Sequence, residues 1–172
     1  MFRWIPEWLA ALRVRLMFLL VRLLPLVTPK HNALGIRTYL AIADETLLAR
    51  AKEQISLSIG LLAHYEPRRY ARVKSDLRGI LVHPFSTRPR ARYNRSTRLC
   101  ELSPSLATSG DIVAIASSIV HEAVHARLRR LPIGDAERRV RVEHVCISEQ
   151  IAFLDRLPGT AHRADNLRMV LV

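Results

Sequence analysis

Apolar positions recur at helical spacing along most of this chain. Between about Ala43 and His64, Leu47, Leu48, Ala51, Ile55 and Leu62 share one side, while Asp44, Glu45, Arg50, Lys52 and Glu53 lie away from it. "EPRRYARVKSDLR" predicts a shorter basic helix with Pro67 in its first turn. From Ile112 to about Arg130, Ile112, Ile115, Ala116, Ile119, Val120, Ala123 and Val124 mark a buried helix. Ser109 or Asp111 can cap its start, and Pro132 and Gly134 stop it. A last long helix runs from about Asp135 to Leu157, closed by Pro158 and Gly159.

The strand signals are fewer. "GILVHPF", residues 79–85, reads as one strand. "RYNRSTRLCEL", residues 92–102, reads as a second, with Tyr93, Arg95, Thr97, Leu99 and Glu101 on one side. The two predict an antiparallel hairpin across the "STRPRA" loop. Residues 32–40 read as a short connection broken at Gly35. The expected fold class is α+β and helix-rich: a small antiparallel sheet packed with a supporting helix and two further long helices. The chain is long enough for one domain with a substantial core, assigned here to residues 31–172.

Residues 1–30 stand apart. They are Leu-rich and predict one helix from Pro6 to about Leu24. Arg13, Arg15 and Arg22 interrupt the apolar run, and each costs roughly 2.5–3.5 kcal/mol at a bilayer centre. The stretch is therefore a poor membrane span, and its broken run makes a poor signal peptide. Two uses remain open. One is an interfacial helix, with Trp4 and Trp8 one turn apart and arginines reaching anionic lipid; the other is a cover for the domain's own core. The expected location is cytoplasmic, with peripheral attachment to the inner face of a membrane as a variant.

Charge adds to this picture. The net charge is +12, and residues 68–98 hold ten Arg or Lys against one acid, Asp76. A solvated basic face is the simple account. Nucleic acid is disfavoured, because the basic stretch has few aromatics (Tyr70, Phe85, Tyr93) and no recognition motif. Cys100 and Cys146 form no CxxC pair and are expected to be reduced and packed as small hydrophobes.

The candidate chemistry sits in "SIVHEAVHARL". His121 and His125, four apart on a helix, share a face and can reach one metal ion. Glu122 is turned about 100° around the axis, where it can serve a water rather than join the ligand row. Two ligands plus a general base is the logic of HExxH, and a catalytic zinc takes three protein ligands and leaves one position open. The third ligand has four candidates: Asp135, Glu143, His144 and Glu149. Glu149 is centred on an apolar face among Val142, Val145, Cys146, Ala152 and Phe153, where a carboxylate needs a partner. Glu143 lies nearer the edge, His144 looks peripheral, and Asp135 suits a helix cap. A metzincin is excluded, because Leu128 and Leu131 stand where it needs glycine and histidine.

HEAVH followed on the next helix by "EQIAF" resembles the gluzincin class of zinc metallopeptidases over roughly residues 43–157. The resemblance implies a zincin-like fold, one Zn2+ per chain on His121, His125 and Glu149, and Glu149 with Ala152 as the E-x-x-A element. It implies peptide or protein substrates, cleaved by a zinc-activated water with Glu122 as general base. It also implies a strand beside the cleft, for which residues 92–102 stand in the right place. Phe153 occupies the position of an aspartate that orients a histidine in some gluzincins, so another partner must do that work. Tyr93 and His144 are candidates to stabilise the oxyanion. The rival expectation is a non-catalytic basic zinc-binding protein that meets nucleic acid or an anionic membrane. In that case Cys146, one turn before Glu149, could close the metal site.

Overall fold

The computed structural model describes residues 22–85, 90–128 and 136–171. Residues 1–21, and with them the question of how Trp4 and Trp8 are used, lie outside the described residues, as do residues 86–89 and Asp135.

The architecture is α+β and helix-rich, with a five-stranded mixed sheet. Residues 22–27 form a helical stretch, α1. Strands β1 (Lys30–Ala33) and β2 (Ile36–Leu40) follow, then helices α2 (Glu45–Tyr65) and α3 (Pro67–Asp76). Next come β3 (Gly79–Val82), β4 (Ala91–Asn94), β5 (Leu99–Leu102), the single turn α4 (Pro104–Ala107), α5 (Ile112–Leu128), α6 (Ala136–Leu154) and α7 (Ala161–Arg168). The helix starts match their caps. The Asp44 side chain accepts from Leu47 N at 2.8 Å, and Asp111 accepts from Ala114 N at 2.9 Å. Asp111 also receives Arg163 of α7 at 2.8 Å, which ties the last helix to the start of α5.

The sheet order is β1-β2-β3-β5-β4. This corrects the expected antiparallel hairpin between residues 79–85 and 92–102. β3 pairs with β2 and β5 in parallel, and the antiparallel partner of β5 is β4, from the same segment. Residues 95–98 are a turn, with Arg98 at φ 59°. The turn resets the alternation, so Tyr93 packs toward the helices while Leu99 packs on the opposite face. The expected connection at 32–40 is a second hairpin, β1–β2, closed by Leu34 (φ 49°) and Gly35 (φ 85°). Two consecutive positive φ values form the turn whose twist suits a two-residue hairpin.

One face of the sheet, through Leu40, Ile80, Val82, Cys100 and Leu102, meets Ile55, Ile59, Leu62, Ile115, Ile119 and Phe153 in the main core. The other carries Tyr39, Leu81 and Leu99, with Leu24 of α1 packed against them. Covered on both faces, β3 is buried at all four positions, as the unbroken apolar run of a parallel strand requires. Leu47 is the exception to the predicted α2 face and is 42 % exposed.

Gly79 sits where β3 passes β2, and a Cβ there would lie 2.5 Å from the Arg37 carbonyl oxygen. Gly79→Ala is therefore expected to destabilise the fold by about 1–3 kcal/mol, despite alanine's better strand entropy. A urea midpoint equal to or above wild type would refute this account.

Candidate metal centre

α5 presents His121 and His125 one turn apart, with Ile115, Ala116, Ile119, Val120 and Ala123 anchoring it in the core. α6 packs alongside and supplies the facing groups. The two imidazole Nε2 atoms are 3.1 Å apart. Glu143 reaches both, with Oε2 3.4 Å from His121 Nε2 and Oε1 3.3 Å from His125 Nε2. The Cys146 sulfur also lies beside the two histidines, the three ligand atoms being within 4.8 Å of one another. Cys146 is one turn beyond Glu143 on α6 and fully buried.

Three acceptor groups aimed at one point repel each other unless a cation or shared protons lie between them. Their separations suit a metal. Donor atoms about 2.0–2.2 Å from a tetrahedral ion stand roughly 3.3–3.6 Å apart; the two Nε2 atoms are 3.1 Å apart, and each lies 3.3–3.4 Å from a different oxygen of the Glu143 carboxylate. Two imidazoles and a carboxylate are donors that zinc accepts.

The tautomer is also accounted for. His121 Nδ1 lies 3.1 Å from Gln150 Oε1, and Gln150 Nε2 donates to Ser117 Oγ at 2.8 Å. Gln150 thus has its carbonyl toward the histidine, Nδ1–H donates, and Nε2 is left with its lone pair for a metal. Gln150 is the orienting partner that Phe153 could not be. Phe153 itself is fully buried in the core.

Glu122 is buried, only 6 % exposed. Its carboxyl is pushed up to about 8, chiefly by burial and further by the nearby Glu143 charge, against a hydrogen bond from the Tyr93 backbone N–H. Edge strand β4 therefore runs directly beside the base candidate. The His125 imidazole is held below its ordinary value by burial first; Glu143 opposes this, and His121 and Arg95 add to it. Burial and the surrounding carboxylates push the Cys146 thiol up to about 12.

The structure does not bring Glu149, the expected third ligand, to the histidines. Its carboxylate accepts from Arg69 Nε and Nη2 at 3.1 and 3.0 Å and from Arg127 Nη2 at 3.2 Å. Burial alone would raise this carboxyl, but the hydrogen bonds from Arg127 and Arg69 hold it below the ordinary value. Glu149 thus links α6 to α3 and to the end of α5. These groups line a cleft with Arg72, Val73, Val120, Ala123 and Val124, on a different face of α5 from the histidines. Among the other candidates, His144 is exposed and donates nothing to the cluster, while Tyr93 contributes its backbone.

The chain matches no family model, no curated protein and no solved structure. Among the described residues, no helix is long and apolar enough to cross a membrane.

Proposed function

We propose that the protein is a zinc-dependent metallopeptidase whose metal is held by His121, His125 and Glu143. The observation that carries this reading is the Glu143 carboxylate set against both Nε2 atoms, one oxygen to each, beside a buried Glu122. The gluzincin-like pattern is kept in altered form. Its glutamate becomes Glu143, with 17 residues between it and His125.

When bound, zinc would polarise a scissile carbonyl and lower the pKa of water toward about 7. The protein's own groups do the rest. Gln150 holds the His121 ring through Nδ1, so that Nε2 would be free to meet the ion. Glu122 stands one residue from His121 and outside the ligand set, where its carboxylate takes a proton from the attacking water and returns it to the leaving nitrogen. Edge strand β4 offers backbone groups along the same rim, so an extended peptide is the substrate shape that fits.

The test is a peptide-hydrolysis assay on zinc-loaded protein beside Glu122→Gln. The variant should keep its metal and lose about 10²–10⁴-fold in rate, and chelation should remove wild-type activity until zinc is restored. Hydrolysis that persists in Glu122→Gln would refute the assignment of the base. Absence of bound metal in zinc-supplied wild type would refute the whole reading.

A further inference from the structure

The zinc reading leaves one member of the cluster without a task. Cys146 has its sulfur among the donor atoms of His121 and His125, is fully buried, and forms no disulfide. It is also the first fully buried position on the described part of α6. Arg139, Val140, Arg141, Glu143, His144 and Val145 before it are all exposed. Glu143, Cys146 and Gln150 fall at i, i+3 and i+7, one stripe along the helix, and all three face α5 through the histidines or Ser117.

A donor triangle on a tetrahedral ion leaves one vertex. Thiolate sulfur binds zinc at about 2.3 Å, so a cysteine completing the set stands somewhat further from the nitrogens than they stand from each other. A sulfur within 4.8 Å of both imidazole donors, against an N–N separation of 3.1 Å, is placed for that role.

Resting on the zinc reading above, we infer that Cys146 is the fourth ligand of the resting centre, giving a His121, His125, Glu143, Cys146 site that is closed until the cysteine leaves. Binding releases the thiol proton to solvent, and departure takes one back. Hydrolysis needs that fourth position open, so the cysteine slows the wild-type reaction by the share of time it occupies that position. Any agent that draws the thiol away, such as a thiol-modifying reagent or a competing thiophilic metal, opens the centre.

The experiment loads the full-length metal-free protein with cobalt(II) and records its absorption spectrum. Cobalt in a four-coordinate site gives strong visible ligand-field bands, and a thiolate ligand adds a sulfur-to-cobalt charge-transfer band in the near ultraviolet. Wild type should show both. Cys146→Ser and Cys146→Ala should lose the charge-transfer band, keep bound cobalt, and as zinc forms hydrolyse peptide several-fold faster than wild type. Ligand-field bands without the charge-transfer band in wild type would overturn the inference and leave the three-ligand centre standing. Absence of both bands and of bound cobalt would overturn the inference together with the reading beneath it. The decisive spectrum is that of wild type, so it does not depend on how well either variant folds.

Discussion

Glu143→Gln is expected to strip the purified protein of its zinc, whereas Glu149→Gln keeps about one ion per chain. The amide at 143 replaces a charged donor that spans both Nε2 atoms with a neutral one. The affinity loss should exceed the roughly 10–100-fold that follows removal of an outer hydrogen-bond partner. Glu149→Gln acts elsewhere. It weakens a partly exposed link to Arg69 and Arg127 and costs about 1 kcal/mol of stability. Elemental analysis of the two variants, with urea midpoints alongside, separates the roles. Zinc retained at position 143 and lost at 149 would reverse the assignment.

The different settings of these two glutamates show what a helical wheel can and cannot see. Glu149 stands among apolar neighbours, and the demand for a partner was sound. The partner is two arginines, one from α3 and one from α5. Their approach depends on tertiary packing, which one helix's own sequence does not encode. Glu143 looked peripheral because it is, at 54 % side-chain exposure, since the centre lies toward the exposed end of α6. The one available signal was the stripe Glu143, Cys146, Gln150, which sets three polar or ligating groups on the face turned to α5.

The fold was unevenly legible for related reasons. Helices α2, α3, α5 and α6 follow apolar spacing and their caps or breakers. The sheet does not, because strands of four or five residues give little periodicity. Leu34–Gly35 closes the first hairpin without the asparagine or aspartate that would announce such a turn. The turn at 95–98 hid a hairpin inside what read as one alternating strand. The zero offset between β3 and β5 in a parallel pairing is likewise a property of the assembled layers.

Arg92→Met is expected to cost on the order of 2 kcal/mol near neutral pH, and progressively less as pH falls below about 4 through the lowered folded value. Glu101 of β5 is completely buried on the face away from the metal centre. Arg92 Nε donates to its Oε2 at 2.6 Å and Asn94 Nδ2 to its Oε1 at 2.5 Å, while His83 Nε2 lies 3.2 Å from Oε2 without hydrogen-bond alignment. Burial would raise the Glu101 carboxyl, but the contacts from His83, Asn94 and Arg92 hold it below the ordinary range. A lowered folded value means that the carboxylate's contribution is present above the unfolded pKa and is lost as pH falls through the folded one. Without Arg92 that contribution goes, and the gap between variant and wild type closes in acid. The figure is kept low because Arg92 is 39 % exposed and water screens its charge. Urea midpoints at pH 7 and at about pH 2.5 give the comparison. An equal gap at both would assign the loss to the arginine's stacking on Phe85, whose ring centre is 4.8 Å away.

The four proposed donors, His121 and His125 on α5 and Glu143 and Cys146 on α6, come two from each of two neighbouring helices. An ion there acts as a rivet between two neighbouring helices, and its hold is unequal on the two sides. α5 is already fixed by the core, while the first half of α6 is exposed at Arg139, Val140, Arg141, Glu143, His144 and Val145. Losing the ion therefore frees one end of one helix, not the whole domain. A chelator would act as a local loosener, fraying α6 back to about Cys146 while the sheet and α2 stay intact. The strength of the centre and the order of that helix end are then a single quantity, read from either side.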